Sequence, residues 1–333
     1  MNFMSLQLEK SLQQNLLEVQ NLTKHFPVGD QGFFTKEKQV VKALDGITFS
    51  LKRGETLGIV GESGCGKSTM GRAILRLHEP SDGTIIYDGK DITHINKKEM
   101  RDNRKDLQII FQDPYGSLNP RMTVGAMLSE IVETHKIAPK KELYNYVCKV
   151  LVDVGLSEQY YYRYPHEFSG GQRQRVSIAR ALCTKPKLIV CDEAVSALDV
   201  SVQSQILNLL QRLKKEHQLT YLFISHDLSV VKHVSDRVAV MYLGKMVELA
   251  DKREIFDNPL HPYTKALLSA IPSTNEEKKR ERVILKGDVP SPINVPSGCR
   301  FHTRCPIATD KCKSEEPTFN EVSENHFVAC HFA

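Results

Sequence analysis

No stretch of this sequence is long and apolar enough to suggest a helix that crosses a membrane. Apolar residues make up 41% of the 333 residues, but no apolar run approaches the ~18 residues that a bilayer span requires. The polar stretch 1–19 lacks the apolar block of a secretory signal peptide. The sequence therefore predicts a cytosolic protein with a real hydrophobic core.

Further absences narrow the class of protein. Internal repeats with a period of about 20–50 residues are missing, which excludes a solenoid or a propeller. The net charge is only +5, with acidic and basic residues interspersed. This balance argues against nucleic acid as the main partner and is compatible with a position near an anionic membrane surface. The eight cysteines contain no C-x2-C pair, so the usual spacing of a zinc ribbon is also missing.

A glycine-rich segment between a predicted strand and a predicted helix organises the chain. Residues 57–60 are apolar, and Gly61, Gly66, Lys67 and Ser68 match the G-x-x-x-x-G-K-[ST] pattern of a phosphate loop. Glycine lets the backbone turn its N–H groups toward phosphate oxygens, and the helix start adds its positive dipole end. We expect Lys67 to reach the β- and γ-phosphates of ATP and Ser68 to ligate Mg²⁺. The predicted ATP-binding loop comprises Gly61, Glu62, Ser63, Gly64, Cys65, Gly66, Lys67, Ser68 and Thr69.

Polar residues at the ends of other predicted strands indicate hydrolysis. Asp192 ends an apolar strand and is positioned to hold Mg²⁺, and Glu193 is positioned to polarise the water that attacks the γ-phosphate. Gln112 is a candidate Mg²⁺ ligand or water-orienting group, and His226 is a candidate γ-phosphate contact. The alternatives are a helix cap for the acidic pair, a surface amide for Gln112 and a loop position for His226.

A second anion site is predicted at the Ser-Gly-Gly turn that begins at Ser169 and opens another helix. Since the phosphate loop already serves the triphosphate of this chain, a second site makes sense if it contacts a nucleotide on another subunit. Phe26 ends the first predicted strand. It is either a core aromatic residue or a ring that stacks on the base.

The order of these motifs resembles that of ABC-transporter ATPase domains. The matching segments are Gly61–Thr69, Gln112, Ser169–Gln172, Leu188–Glu193, Ser196–Asp199 and His226. The resemblance implies an α/β phosphate-loop fold with an antiparallel β subdomain and a helical subdomain. It also implies that two such domains pair head to tail, so that ATP lies between one phosphate loop and the Ser-Gly-Gly turn of the other subunit.

A closer resemblance covers nearly the whole chain and is to the second ATP-binding subunit of bacterial dipeptide and oligopeptide importers. It is carried by the runs GFFTKEKQVVKALDG, FQDPYGSLNPR, RYPHEFSGGQRQR, VSALDVSVQSQILNLL and HPYTKALLSAIP and by the cysteine-containing end. It implies ATP hydrolysis that powers peptide import at the cytoplasmic face of the inner membrane. The implied partners are a homologous ATPase subunit, two membrane-spanning permease subunits and a peptide-binding protein outside the membrane. Nickel chelates or cationic peptides are alternative cargo.

The resemblance also implies individual roles. Phe26 would stack on adenine, Gln112 would also report to the membrane subunit, and His226 would hold the γ-phosphate and the attacking water. Asp199 would couple the two ATP sites. The residues that would serve the ATP of the partner are Ser169, Gly170, Gly171 and Gln172. One departure is Ala194, where the family commonly has proline, so that the position of the acidic pair is less constrained.

The expected organisation is a tail at 1–15, an ATPase domain at 16–270 with a helical subdomain at about 115–168, and a linker with a C-terminal cysteine domain at 271–333. Cys299, Cys305, Cys312 and Cys330 have the spacing C-x5-C-x6-C-x17-C. Four thiolates can hold an iron–sulfur cluster, and the resemblance implies a [4Fe–4S] cluster here. Unligated thiols and zinc are the alternatives, and the histidines that could replace a ligand are His302, His326 and His331.

The sequence disfavours two other classes of function. A soluble ABC ATPase that acts on DNA or ribosomes usually carries two ATPase domains or long coiled-coil insertions, whereas this chain has one phosphate loop and no heptad run. A nucleotide-binding module without hydrolysis is disfavoured by the presence of both Glu193 and His226.

Overall fold

The computed structural model describes residues 15–28, 39–271 and 283–333. The tail predicted at 1–15 lies outside these residues apart from residue 15, and so do residues 29–38 and 272–282. Within the described ranges, no helix is long and apolar enough to cross a bilayer.

The regular elements alternate along most of the chain. The strands are β1 (Asn15–Val28), β2 (Gln39–Lys52), β3 (Thr56–Val60), β4 (Asp82–Tyr87), β5 (Lys90–Asp91), β6 (Leu107–Ile110), β7 (Leu188–Asp192), β8 (Thr220–Ile224), β9 (Arg237–Tyr242), β10 (Lys245–Asp251), β11 (Asn320–Ser323) and β12 (His326–Val328). The α-helices are α1 (Lys67–Ile74), α2 (Lys97–Asn103), α3 (Pro114–Ser117), α4 (Val124–Thr134), α5 (Leu143–Asp153), α6 (Gly170–Leu182), α7 (Val200–His217), α8 (Leu228–Val234), α9 (Lys252–Asp257), α10 (Pro262–Ser269) and α11 (Asp310–Ser314).

The described chain divides into two compact units. The helical unit contains Lys52–Glu55 and His94–Ile224. The phosphate-loop unit contains the described residues of Asn15–Leu51, Thr56–Thr93 and Ser225–Ala333. The predicted domain limits at 15/16 and 270/271 remain predictions.

The helical unit is built on three parallel strands in the order β6-β7-β8. Every residue of β7 and β8 is buried, which is why their sequences LIVCD and TYLFI are almost continuously apolar. Apolar residues recur at helical spacing between Val124 and Val154, and this stretch forms α4 and α5, whose apolar faces bury Leu128 and Leu151, among others.

The phosphate-loop unit contains a separate sheet in the order β2-β1-β4-β5, in which β4 is antiparallel to both of its neighbours. This confirms the predicted antiparallel β subdomain. The β4–β5 hairpin turns at Asp88 and Gly89, both with positive φ, as a tight two-residue turn requires.

The same unit also contains strands in the order β11-β12-β10-β9-β3, of which β3 and β9 are parallel and the others antiparallel to their neighbours. The C-terminal extension contributes β11 and β12, and β12 pairs with β10. The sequence did not indicate this pairing. The buried side chains of Glu248 and His326 reinforce this pairing, with 2.8 Å between Oε1 and Nε2.

Candidate functional site

The phosphate loop connects buried β3 to α1 and has a backbone that only glycine can adopt. Gly61 has φ +151° and Gly66 has φ +105°. A Cβ atom added to Gly61 would collide with the carbonyl oxygen of Met241, and one added to Gly66 would collide with that of Ala43. Because Gly66 also has no side chain to cap α1, the first N–H groups of the helix face the loop. This cradle fits the phosphates of a nucleotide.

The amine of Lys67 lies across the loop. Its Nζ donates hydrogen bonds to the carbonyl oxygens of Gly61 (2.7 Å) and Glu62 (2.9 Å), and the residue is buried. Burial raises the pKa of the neighbouring Cys65 thiol, although Lys67 opposes this shift. The one strong positive charge of the loop is therefore held where phosphate oxygens would bind. Ser68 and Thr69 follow in the first turn of α1.

Glu62, the second residue of the loop, is held by two residues that the sequence did not indicate. Its backbone N–H donates to Oη of Tyr263 at 2.9 Å. Its carboxylate accepts two hydrogen bonds from Arg304, with Nη1–Oε2 at 2.7 Å and Nη2–Oε1 at 3.0 Å. The hydrogen bonds to Glu62 are the main cause that raises the pKa of Arg304.

His226 lies on an exposed turn that begins next to the end of β3. The backbone N–H of Ser225 donates to the carbonyl oxygen of Ile59 at 3.1 Å, and Ile59 belongs to β3. After His226, Asp227 caps α8 by accepting a hydrogen bond from the N–H of Ser229. The turn therefore places His226 close to the start of the phosphate loop, and its contact with the γ-phosphate stays a prediction.

Phe26 is not part of the buried core. It lies on β1 and is only half-buried, so its interpretation as a core aromatic residue is wrong. Its ring makes an edge-to-face contact with His78 at 5.5 Å between centroids, and Nζ of Lys24 lies 4.9 Å from the ring centroid.

The helical unit brings two of the predicted catalytic residues into contact. Asp192 ends β7 with a buried side chain. The side-chain amide of Gln112, which follows β6, donates a hydrogen bond to Oε2 of Glu193 at 3.0 Å. Parallel neighbouring strands carry these residues to the same edge of the sheet, so the carboxylate of Glu193 is oriented by an amide donor.

The backbone of Glu193 is in the left-handed region, with φ +51°. A non-glycine residue in this conformation costs about 1–2 kcal/mol, so neighbouring groups must hold it. Its N–H donates to the carbonyl oxygen of Ile224, and its own carbonyl oxygen accepts from the N–H and the hydroxyl of Ser196. These hydrogen bonds fix the acidic pair next to the buried Ala194.

The Ser-Gly-Gly turn caps α6 and leaves Ser169 and Gly170 exposed. The hydroxyl of Ser169 accepts from the N–H of Gln172, and Oε1 of Gln172 accepts from the N–H of Ser169 at 3.0 Å. Nε2 of Gln172 also donates to Oη of Tyr160 at 3.3 Å. The local fold therefore uses Gln172 as a capping residue and exposes the first residues of the turn.

The two glycines of the turn differ in their surroundings. A Cβ atom on Gly171 would lie 2.5 Å from Cγ1 of Val202, whereas one on Gly170 would meet only Leu198, at 3.8 Å. Gly171 is thus required for the close packing of α6 against α7. Asp199 caps α7, and its hydrogen bond from the N–H of Val202 is the main cause that lowers its pKa.

The four C-terminal cysteines are free thiols in one region of the extension. Burial, together with the neighbouring Cys312, Cys305 and Cys330, raises the pKa of Cys299 to about 11. Nevertheless, among the residues that the structure describes, no group of three or more His, Cys, Asp or Glu side chains is arranged to hold a metal ion. The thiols are neighbours, but they do not form a ready set of cluster ligands.

The three histidines that we considered as replacement ligands have other hydrogen-bond partners. Nδ1 of His302 is 2.8 Å from the carbonyl oxygen of Cys299, Nε2 of His326 is 2.8 Å from Glu248, and Nε2 of His331 is 3.0 Å from the carbonyl oxygen of Glu315. The contact with buried Glu248 explains His326 as a structural residue.

A cavity of about 820 Å³ in the phosphate-loop unit lies away from the phosphate loop. Its walls come from β1, β2, β10 and the C-terminal extension, and its lining includes Phe49, Met246, Phe301 and Phe319 but none of the loop residues. The nucleotide site that the sequence predicts is therefore not this cavity.

Comparison with known proteins agrees with these motifs. Residues 44–196 match the family model described as ABC transporter, and residues 247–312 match that described as oligopeptide/dipeptide transporter, C-terminal region. The oligopeptide transport ATP-binding protein AppF of Bacillus subtilis is 55% identical over 322 residues, which cover 96% of this chain and 98% of AppF. OppF of Escherichia coli is 51% identical over 319 residues, which cover 95% of both chains.

A solved structure shares the fold. The ATP-binding cassette MJ0796, determined as a dimer bound to ADP and Pi, has a TM-score of 0.63 and 28% sequence identity, and the match covers 71% of this chain and 99% of MJ0796. Together, the similarity over nearly the full length and the two family matches show that this chain belongs to the ATP-binding proteins of the ABC-type oligopeptide transporters.

Proposed function

We propose that this chain hydrolyses ATP to power the import of di- or oligopeptides through a membrane complex. The observation that carries the nucleotide part is the glycine-only loop between β3 and α1, with Lys67 held across it. The peptide part is supported by the relatives, which are oligopeptide transport proteins by name, and by the match of residues 247–312.

In the proposed reaction, Lys67 and the loop N–H groups bind the β- and γ-phosphates. Ser68, Asp192 and Gln112 are the residues that would hold Mg²⁺, and the ion would neutralise charge that develops on the phosphates. Glu193 accepts a proton from the attacking water, whose oxygen bonds to the γ-phosphorus as the bond to the β-phosphate oxygen breaks. His226 contacts the γ-phosphate. The products are ADP and phosphate.

The half-buried ring of Phe26 is the proposed platform for adenine. The neighbouring Lys24 adds a positive charge on the same strand, and an aromatic face attracts a flat base by stacking. This role explains why a large apolar side chain is left out of the core at the end of β1.

The Ser-Gly-Gly turn is proposed to contact a nucleotide that is bound to a second ATPase subunit. Support comes from the exposure of Ser169 and Gly170 at the start of α6, where the N–H groups of a helix favour an anion. Gly171 and Gln172 shape this turn, and Asp199 couples the two sites. The proposed complex also contains two permease subunits and an external peptide-binding protein, at the cytoplasmic face of the inner membrane.

The cargo can be tested in proteoliposomes that contain the complete transporter with its binding protein. We expect uptake of a labelled peptide when ATP is supplied on the side of the membrane that carries this subunit. A non-hydrolysable ATP analogue on that side should give no uptake. Uptake of a nickel chelate or a cationic peptide in preference to neutral peptides would replace the proposed cargo. Nucleotide-dependent binding to duplex DNA or ribosomes would contradict the transport function.

The [4Fe–4S] cluster on Cys299, Cys305, Cys312 and Cys330 remains a prediction from the family resemblance. The proximity of the four thiols supports it, whereas the missing preformed ligand set does not. Protein purified without oxygen should be brown and contain iron and sulfide if the prediction is correct. Colourless protein with zinc, or with no metal, would reject it.

A further inference from the structure

The acidic residue Glu62 belongs to the loop that is the proposed binding site of a highly charged anion. A nucleotide triphosphate brings several negative charges to the loop, and an uncompensated carboxylate nearby repels them. Glu62 is the only acidic residue between Gly61 and Thr69. Its charge must therefore be balanced before the loop can bind phosphate well.

The structure balances this charge with Arg304. The guanidinium group makes two parallel hydrogen bonds with the carboxylate, at 2.7 and 3.0 Å, and the side chain is only 8% exposed. Paired bonds of this kind fix orientation as well as charge. The guanidinium also lies 5.9 Å from the ring centroid of Tyr242, the last residue of β9.

The backbone of Glu62 is fixed as well. Its N–H donates to Oη of Tyr263, and its carbonyl oxygen accepts from Nζ of Lys67. Tyr263 is fully buried and therefore holds its hydroxyl in one place. Each polar group of Glu62, in the backbone and in the side chain, has a partner from a different part of the phosphate-loop unit.

Tyr263 and Arg304 both belong to the region 247–312 that matches the oligopeptide/dipeptide transporter C-terminal family, and both are held firmly. Tyr263 is in the first turn of α10, where His261 caps the helix and donates its own N–H to buried Glu248 at 3.1 Å. The turn that carries Arg304 is attached by buried Phe301, whose ring centroid lies 5.3 Å from that of Tyr263.

We propose that Tyr263 and Arg304 are positioning residues through which the C-terminal region holds the phosphate loop ready for ATP. Arg304 neutralises and orients the Glu62 side chain, and Tyr263 fixes the Glu62 backbone. This inference rests on the proposed nucleotide site and assigns to the C-terminal extension a direct part in nucleotide affinity.

The test is a double-mutant cycle in the assembled transporter, with KM and kcat for ATP measured separately. Arg304→Met should raise KM about tenfold and change kcat less, because the uncompensated Glu62 repels the phosphates. Glu62→Gln removes the negative charge and gives the background in which the same substitution is measured again. In the double variant Glu62→Gln/Arg304→Met, the KM should lie within about threefold of that of Glu62→Gln alone. If Arg304→Met raises the KM for ATP by the same factor with Glu or with Gln at position 62, the proposal is overturned.

Additional variants separate positioning from folding. Arg304→Lys keeps the charge and should restore most of the affinity that Arg304→Met loses. Tyr263→Phe, which removes only the hydroxyl group, should raise KM about threefold to tenfold; an unchanged KM would remove Tyr263 from the proposal. Lys313→Met is the control, because Lys313 is exposed on the same extension and pairs with Asp310.

One more variant separates this inference from the proposed function. Lys67→Ala should abolish binding of MgATP and MgADP to the purified full chain. If it does not, the assignment of the nucleotide site itself fails. If Lys67→Ala abolishes binding while the cycle on Glu62 and Arg304 shows no coupling, only the role of the C-terminal region is wrong.

Discussion

The side-chain amide of Gln112 donates a hydrogen bond to Oε2 of Glu193 at 3.0 Å, although 81 residues separate them along the chain. Gln112 follows β6 and Glu193 follows β7, which are parallel neighbours. The residue expected to report to the membrane subunit is thus in direct contact with the proposed base. A movement of Gln112 would therefore change the orientation of the carboxylate that activates water.

Removal of this donor should slow hydrolysis. A hydrogen bond to a charged group contributes about 1.5–3 kcal/mol, which corresponds to roughly tenfold to hundredfold in rate. We expect Gln112→Ala to lower kcat by this factor, while KM for ATP changes less. Gln108→Ala is the matched control, because Gln108 lies on β6, just before Gln112, and its side-chain amide donates to the Arg104 carbonyl oxygen. A kcat within twofold of wild type would contradict the role of Gln112.

The glycines of the phosphate loop provide a second comparison. Gly64 and Gly66 both have positive φ, so alanine at either position costs about 1–2 kcal/mol. Only at Gly66 would the added Cβ collide with a carbonyl oxygen, since nothing lies within 4 Å of the Gly64 position. Gly66→Ala should therefore lower the free energy of unfolding by about 1–3 kcal/mol more than Gly64→Ala. Urea denaturation measures the difference, and equal losses would show that the loop relaxes freely.

The Ser-Gly-Gly turn allows stability to be separated from activity. Gly171→Ala should destabilise the chain by about 1–3 kcal/mol through overpacking against Val202. Gly170→Ala should be neutral or stabilise it slightly, since alanine favours a helix and the site is open. Yet Gly170→Ala should lower ATP hydrolysis of the assembled complex, if the turn contacts the nucleotide of the partner. Full activity in that variant would argue against the shared site.

Lowering the pH should decrease the free energy of unfolding through protonation of His261 in the unfolded state. Burial lowers the pKa of His261 to about 3, whereas an unfolded imidazole has a pKa of ~6.5. Between these values the unfolded state binds the extra proton, so stability falls as pH falls, by at most ~1.4 kcal/mol per unit. Lys265 lies near and favours the neutral ring.

His261→Asn isolates this contribution. Asparagine can still accept the hydrogen bond from the N–H of Tyr263 that Nδ1 of His261 accepts at 3.1 Å, but it does not titrate. The loss of unfolding free energy between pH 7.5 and pH 5.5 should be smaller in the variant than in wild type. An equal loss would assign the acid sensitivity to other groups.

Local patterns in the sequence were sufficient to predict the phosphate loop, the strand that ends in Asp192 and the capped start of α6. In each case the residues that act together are close in the chain. Family resemblance added the coupling role of Asp199 and the contact of Gln112 with the membrane subunit, which no local pattern contains, and both roles stay predictions.

The remaining features depend on contacts between distant segments. Tyr263 and Arg304 follow Glu62 by 201 and 242 residues, and no periodicity links them. The positive φ of Glu193 depends on Ile224 and Ser196. A glutamate at this position does not by itself indicate a left-handed backbone, so this conformation could not be predicted from the sequence. The pairing of β12 with β10 was missed because the short strand 326–328 lies within a cysteine-rich stretch that suggested a separate domain.

Phosphate release by the assembled transporter with Glu193→Gln tests the central claim most directly. A general base contributes about 10²- to 10⁴-fold to a rate, so we expect hydrolysis to fall by at least a hundredfold while MgATP still binds with near wild-type affinity. Peptide uptake should stop with it. Hydrolysis at the wild-type rate in this variant would contradict the account of this chain as the ATPase that drives transport through Glu193.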